Sequence, residues 1–248
     1  EYTRNGYCPT AYTAWEREVM EWMTIDTLTD DQEGIEIMPV SDGGKAYRFI
    51  NDNDTKEYMM IENIQKSSWN TSLLGHGLIV YHVKWPYTVV SYNDHPNDTA
   101  GEPGMALIPA DGLLVSAYLS GSGKEYTKAQ YLYHHSGDPF PGTSNITELK
   151  FDMGLPNYKW YAGGPEINKA LTEISEDVET GIITFNFITI TNNSFDLNGD
   201  GKISTADIQV IINEMKKNTS EQDMKYDLNG DNKISTADIQ EIINEMKK

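Results

Sequence analysis

Two segments of the chain are nearly identical: Asp196-Leu-Asn-Gly-Asp-Gly-Lys-Ile-Ser-Thr-Ala-Asp207 and Asp227-Leu-Asn-Gly-Asp-Asn-Lys-Ile-Ser-Thr-Ala-Asp238. They begin 31 residues apart (227 − 196), and both run on into the same Ile-Ile-Asn-Glu-Met-Lys-Lys sequence. Internal repetition this close predicts two copies of one supersecondary unit.

Oxygen-bearing side chains recur at positions 1, 3, 5, 9 and 12 of each copy, and position 7 can offer its backbone carbonyl. This spacing suits Ca²⁺, which takes about 6 to 8 oxygen ligands from a tightly wound loop. Gly201 and Asn232 hold position 6, where such a loop turns with a positive φ. The predicted ligands are Asp196, Asn198, Asp200, Lys202, Ser204 and Asp207 in the first loop, and Asp227, Asn229, Asp231, Lys233, Ser235 and Asp238 in the second.

An amphipathic helix is predicted after each loop, because apolar residues recur there at i, i+3, i+4 and i+7. Ile203 and Ile234 are expected to point into a core between the loops. The alternative interpretation is a pair of Asx-rich turns that cap helices without binding metal. The predicted apolar stripes are Ile208, Ile211, Ile212 and Met215, then Ile239, Ile242, Ile243 and Met246.

Position 12 is Asp, where a helix-loop-helix calcium hand normally carries Glu, and no obvious entering helix precedes Asp196. With these features, residues 192–248 resemble a dockerin domain. The resemblance implies two calcium ions, one in each loop, a compact antiparallel helix pair, and docking onto a cohesin-like protein through positions 10 and 11. The identity of these positions in the two copies would fit two binding modes related by a two-fold rotation. Dockerin-like repeats also occur outside cellulosomes, which leaves the cohesin open. The residues concerned are Thr205, Ala206, Thr236 and Ala237.

Residues 1–191 read as short β-rich runs separated by clusters of Gly, Asp and Asn, with a helix expected over 10–22. Many short strands with turn signals predict a sandwich-like antiparallel β domain. The expected fold class is therefore mostly β with some helix, followed by a small all-α dockerin-like domain at 192–248. Predicted strands lie at 35–40, 46–50, 58–62, 78–83, 105–109, 113–119 and 182–190.

Four strings in this region are distinctive in their order and spacing: Tyr58-Met-Met-Ile-Glu-Asn63, Leu74-Gly-His-Gly-Leu-Ile-Val-Tyr-His-Val83, Ser136-Gly-Asp-Pro-Phe-Pro-Gly-Thr143, and Pro9 with Ala14-Trp-Glu-Arg-Glu18 and Trp22. Together they resemble the region that follows the catalytic helix in the immune inhibitor A family of secreted zinc metallopeptidases. The resemblance covers residues 5–188.

This resemblance implies a bacterial zinc metallopeptidase that acts on protein substrates. Its expected location is the medium, the cell surface or the periplasm. Its zinc would be bound by a His-Glu-x-x-His helix and a downstream acidic ligand, and no such motif occurs in these 248 residues. Zinc is thus expected only upstream, Glu1 is expected to be an internal start, and no catalytic residue is assigned. The sequence leaves open whether this chain has an activity of its own.

Composition excludes several classes of function. The chain has 38 acidic and 19 basic residues, a formal net charge of −19, which argues against binding nucleic acid or anionic lipid. No run of about 18 apolar residues occurs, so no membrane span is predicted. The single cysteine, Cys8, cannot form an intrachain disulfide or a thiolate zinc site.

Other patterns in residues 1–191 have competing interpretations. A metal site built from His82, His95 and Asp94 competes with structural hydrogen bonding by the histidines. Trp69, Trp85 and Trp160 could form a sugar-stacking platform, although core packing is the commoner use of tryptophan. The rival hypothesis for the whole chain is a non-enzymatic carbohydrate- or protein-binding module carried by a dockerin.

Overall fold

The computed structural model describes residues 9–85, 97, 99–114, 127–190, 194–199 and 202–247. They form two compact units, and the division along the chain falls between Ile188 and Thr189. Each unit has its own core. Within the described ranges, no helix combines the length and the apolar character that crossing a bilayer requires.

The first unit contains a five-stranded sheet in the order β1-β3-β4-β5-β6 and a three-stranded sheet in the order β2-β8-β7. The helices α1 and α2 cover Ala14–Val19 and Lys128–Ser136. The strands are β1 Asp26–Thr27, β2 Gln32–Ile37, β3 Tyr47–Asn51, β4 Asp54–Ile64, β5 Gly77–Lys84, β6 Met105–Ile108, β7 Lys169–Asp177 and β8 Ile182–Thr189.

The two sheets pack against each other through an aromatic core. The ring of Phe49 on β3 lies 5.5 Å from that of Phe187 on β8, and Tyr47 lies edge-on to Phe185 at 6.3 Å. This confirms the predicted sandwich. One detail of the prediction is wrong, because β1 pairs with β3 in parallel, so the larger sheet is mixed rather than purely antiparallel.

Strand β4 is covered on both faces. Met59 and Ile61 point into the core between the sheets, whereas Tyr58 and Met60 belong to a second cluster that includes Ala14 of α1. Seven consecutive positions, from Glu57 to Asn63, are buried. A strand buried on both sides reads as a continuous apolar run rather than as an alternating one, which explains its sequence.

Several predicted elements of the first unit change in the structure. The helix expected over 10–22 covers only Ala14–Val19, and Tyr12, Val19 and Trp22 of its predicted face are exposed at 54%, 46% and 63%. Helix α2 and strand β7 had not been predicted. Of the strand predicted at 113–119, residues 113 and 114 are not in a strand and the rest lies outside the described residues.

The second unit consists of the helices α3, Thr205–Met215, and α4, Thr236–Glu245, with the loops that precede them. Ile211, Ile234 and Ile242 form its buried core, and Ile203 packs against them, as predicted. The last position of each predicted stripe is wrong: Met215 and Met246 are 36% and 44% exposed. The core takes its remaining apolar surface from the loops and the connection, through Phe195, Leu197, Tyr226 and Leu228.

Candidate metal centres

The second loop is wound around the carboxylate of Asp227. Its Oδ1 accepts hydrogen bonds from the backbone N–H groups of Gly230 at 2.8 Å and Asp231 at 3.1 Å. Its Oδ2 accepts from the N–H of Asn232 at 2.7 Å. One side chain at position 1 therefore fixes the backbone at positions 4, 5 and 6.

Two further ligand candidates of this loop lie side by side. Asn229 Oδ1 accepts from the N–H of Asp231, and Asp231 Oδ1 accepts from the N–H of Lys233, both at 2.9 Å. Asn232, at position 6, has a φ of 63°, the left-handed conformation that the sequence predicted for this position. Gly230, at position 4, also has a positive φ of 76°, which the sequence analysis had not anticipated.

Asp238, at position 12, closes the loop. Its Oδ1 accepts from the N–H groups of Leu228 at 2.9 Å and Asn229 at 3.3 Å, and its Oδ2 accepts from the N–H of Ser235 at 2.8 Å. Asp238 is fully buried in the first turn of α4, where it also forms a capping box with Ser235. Position 12 therefore connects both ends of the loop to the helix.

The first loop has the same closure. Asp207 accepts from the N–H groups of Leu197 at 2.8 Å, Asn198 at 3.1 Å and Ser204 at 2.7 Å. Asp196 Oδ1 accepts from the N–H of Gly199 at 2.9 Å. Two residues of this loop, the predicted ligand Asp200 and the neighbouring Gly201, lie outside the described residues.

The donor set fits a hard cation. A carboxylate has about four lone-pair sites. The backbone N–H groups occupy three of them on Asp227 and three on Asp238, which leaves each side chain one for a metal. Ser235 Oγ accepts from the N–H of Ala237 and takes part in the capping box with Asp238. The loop therefore presents oxygen donors without nitrogen or sulfur, which suits Ca²⁺.

Carboxylates and imidazoles alone do not make a metal site in the described parts of the chain. No three His, Cys, Asp or Glu side chains there are grouped so that they could hold an ion. A metal in the loops would thus need the amide, hydroxyl and carbonyl oxygens as well. His95 and Asp94, from the alternative hypothesis of a metal site with His82, lie outside the described residues.

The positions predicted to contact a cohesin are exposed in both copies. Thr205 and Ala206 begin α3, Thr236 and Ala237 begin α4, and all four are open to solvent. Each pair is adjacent to the buried position-12 aspartate of its loop.

A family model for the dockerin type I domain matches residues 194–247, and these residues form a dockerin type I domain. Domains of this family bind calcium and cohesins. No curated protein and no solved structure matches the chain.

Two polar side chains of the first unit, Glu57 and His82, are fully buried and paired with each other. Glu57 Oε2 accepts from Asn51 Nδ2 at 2.8 Å and from the N–H of Ala162 at 3.1 Å. Glu57 Oε1 lies 2.8 Å from His82 Nε2 and accepts from the N–H of Tyr161. Burial lowers the pKa of His82, and the hydrogen bond to Glu57 opposes that shift. The network braces β4 and β5 against residues 157–162.

The other histidines in the described ranges also pair with acidic side chains. His76 precedes β5 and lies 2.7 Å from Glu176, so it is not on the same strand as His82. His134 and His135 lie on α2, next to Asp111 and Asp138. These contacts support the interpretation of the histidines as structural hydrogen bonders.

The tryptophans do not form a shared platform. Trp160 is buried in the core between the sheets, and Trp85 packs on Trp15 with ring centroids 4.5 Å apart. Trp69 is 62% exposed. Core packing was thus the right interpretation for Trp85 and Trp160.

Two buried polar residues that no sequence motif predicted hold the start of α1 and the segment before it. Glu62 Oε2 accepts from the N–H of Ala14 at 2.7 Å, and Asn70 Oδ1 accepts from the N–H of Ala11 at 2.9 Å. Burial raises the pKa of Glu62 to about 7, although the Ala14 N–H and the charge of Arg17 oppose the shift. A glutamate within the otherwise apolar run of β4 was the available signal.

Proposed function

We propose that the two C-terminal loops each bind one calcium ion and that the loaded domain docks onto a cohesin-like protein, tethering the first unit to it. The observation that supports this most strongly is the loop 227–238. There Asp227, Asn229 and Asp231 wind the backbone while keeping oxygen lone pairs for an ion. The family match over 194–247 gives independent support for calcium and for a cohesin-like partner.

Native mass spectrometry of the full chain at saturating calcium tests the number of ions. Two ions are expected for the unmodified chain, one for Asp196→Ala, one for Asp227→Ala and none for the double variant. Asp223→Ala is the matched control. Asp223 is an exposed aspartate between α3 and the second loop, and its side chain contacts the backbone N–H and the Nζ of Lys225. A count that did not depend on Asp196 and Asp227 would contradict the proposal.

We propose that the first unit is a non-catalytic C-terminal part of a secreted zinc metallopeptidase, and that proteolysis belongs to the upstream region. Three of the strings that carry the resemblance are neighbours in the fold. The string at 58–63 pairs residue by residue with 78–83, and Leu78 forms a bridge to Phe140 of the string 136–143. This contiguity supports a shared structural role for the strings.

Two measurements test the assignment of the first unit. The coding sequence upstream of Glu1 is expected to contain a His-Glu-x-x-His motif, and the chain as given is expected not to cleave casein when supplied with zinc. Zinc-dependent cleavage by this chain, or an upstream region without the motif, would overturn the proposal. Saturable binding to a glycan array would favour the rival binding module instead.

We also propose that the protein works outside the cytoplasm. The calcium loops of extracellular modules bind calcium weakly and are filled where calcium is abundant, and the two loops of this chain fit that setting. Fractionation of the native organism, followed by immunodetection with an antibody against the first unit, would find the protein in the medium, at the surface or in the periplasm. Detection in the cytoplasm alone would refute this.

A further inference from the structure

A cavity of about 240 Å³ lies in the first unit between the segment before α1 and the ends of β4 and β5. Its walls come from residues 10–13, Val40 and Ser41, residues 62–64 of β4, Asn70, Leu73, and Tyr81 of β5. The cavity is separate from the calcium loops, which belong to the other unit. Neither the family match nor the proposed function assigns it a role.

Glu62 contributes an uncompensated carboxylate oxygen to this cavity. The residue is only 2% exposed, and its Oε2 accepts from the N–H of Ala14. Its Oε1 has no hydrogen-bond partner among the described residues. This atom is not fully enclosed by protein atoms, so it borders open space. Glu62 lines the cavity, so the cavity is the open space that its side chain adjoins. A buried carboxylate without a partner is costly, which makes this oxygen a strong acceptor for a ligand.

Two other polar groups of the cavity are also open. Asn70 is 5% exposed and uses Oδ1 to hold the N–H of Ala11, which leaves its Nδ2 as a donor without a partner in the described ranges. Tyr81 lies on the strand next to Glu62 and on the same face, since Tyr81 is directly opposite Met60. Its hydroxyl likewise makes no hydrogen bond to the described residues and is not sealed.

We propose that this cavity binds a small primary amine that also carries an oxygen acceptor, such as an amino alcohol or an amino amide. The ammonium group would donate to Glu62 Oε1 and to the Tyr81 hydroxyl, and the ligand's oxygen would accept from Asn70 Nδ2. Val40, Ile64 and Leu73 supply apolar wall for the carbon stem between them. The net charge of −19 favours the approach of cations.

The test uses the full chain, labelled with ¹⁵N, and the probes 3-aminopropan-1-ol, propylamine and propane-1,3-diol. Saturable shifts of the Ala14 and Ala11 amide signals are expected with the amino alcohol, because these two amides are bonded to Glu62 and Asn70. Propylamine should bind more weakly, since it lacks the acceptor for Asn70. The diol should bind most weakly, since it lacks the charge for Glu62.

Glu62→Gln is the decisive variant, because its amide oxygen can still accept from the Ala14 N–H while the charge is gone. It should weaken the amino alcohol by about tenfold or more and reduce its advantage over the diol. Tyr81→Phe, which preserves the apolar ring, should weaken it less and serves if the Gln variant does not fold. Three outcomes would each overturn the proposal: the diol and the amino alcohol bind equally well, a folded variant keeps the affinity of the unmodified chain, or the unmodified chain shows no saturable shift.

Discussion

The Nε2 atom of His82 lies 2.8 Å from the Oε1 atom of Glu57, and neither side chain is exposed to solvent. The other ring nitrogen of His82 lies 3.1 Å from the carbonyl oxygen of Asn157. Both ring nitrogens of His82 therefore face hydrogen-bond acceptors. Each of the two contacts needs a proton, and the proton of the Nε2 contact is shared between His82 and Glu57. This buried pair joins the centre of the larger sheet to a loop far along the chain.

His82→Ala should lower the free energy of unfolding of the first unit by about 3 kcal/mol or more, because it leaves the buried Glu57 side chain without its hydrogen bond to His82 and opens a cavity in the sheet. His76→Ala is the matched control. The His76 side chain is 41% exposed, and its contact with Glu176 should contribute less than about 1 kcal/mol. Urea denaturation measures both, and equal small losses would contradict the role assigned to the pair.

Glu62→Gln should change how stability depends on pH. Since burial raises the pKa of Glu62 from an ordinary value of 4.5 to about 7, the folded protein binds more protons than the unfolded chain between these pH values. The contribution of Glu62 is therefore lost as pH rises through 7, and it amounts to about 3 kcal/mol.

The variant should accordingly be more stable than the unmodified chain at pH 8 and close to it at pH 4.5. The titratable and charged groups nearby, Glu16, Arg17 and Tyr81, are the same in both proteins, and burial raises the pKa of Tyr81 so that it stays neutral, so the difference between the two pH profiles isolates Glu62. Parallel profiles would show that Glu62 is ionised normally in the folded state.

Removal of calcium should unfold the second unit without unfolding the first. Empty loops leave the carboxylates of Asp227 and Asp231 close together and uncompensated, and the small core of this unit has little apolar surface to offset that. Calorimetry with and without chelator should show one transition shifted to lower temperature and one unchanged. A helical signal and transitions that ignored the chelator would disprove metal-dependent folding.

Asn232→Ala should weaken calcium binding in the second loop, whereas Asn232→Gly should not. The φ of 63° at this position costs about 1 kcal/mol for a residue with an ordinary side chain, and glycine adopts it freely. The first copy carries Gly201 at the same position, so the Gly variant makes the two loops alike. Isothermal titration of the Asp196→Ala background measures the second loop by itself, and equal affinities of the Ala and Gly variants would refute the explanation.

Cohesin binding should be fully impaired only when Thr205→Arg and Thr236→Arg are combined in one variant. Each threonine begins a helix in an exposed position, and the two copies present the same residues there. Affinity for type I cohesin domains should fall by about tenfold or more in the double variant and less in either single variant. Thr219→Arg, an exposed position outside both helices, is the control, and a double variant with unchanged affinity would exclude this surface.

The winding of the two loops could be predicted closely because the candidate ligands are close in sequence, and the positive φ at Asn232 follows from local geometry. Strand β7 was missed for an identifiable reason. Glu173 has a φ of 53° within it, and its buried residues do not alternate strictly with exposed ones. Helix α2 has no continuous apolar face, although the capping box of Thr127 and Gln130 was a signal for its start.

The polar sites of the first unit could not be predicted because they depend on partners far along the chain. Glu57 is held by Tyr161 and Ala162, more than a hundred residues away, and Glu62 is held by Ala14, the first residue of α1. The apolar run of β4 marks Glu62 as unusual, but the local sequence indicates no partner for either glutamate. Only the packing of the sandwich decides that they are buried.

The double-sided burial of β4 determines where this protein can tolerate change. In a comprehensive mutational scan, the seven positions from 57 to 63 should appear as an unbroken block of intolerance, whereas β8, which alternates buried and half-buried residues, should appear striped. Substitutions that tune solubility or introduce labels therefore belong on the exposed side chains of β2 and β7. These side chains are away from β4, which contributes to both apolar clusters of the first unit.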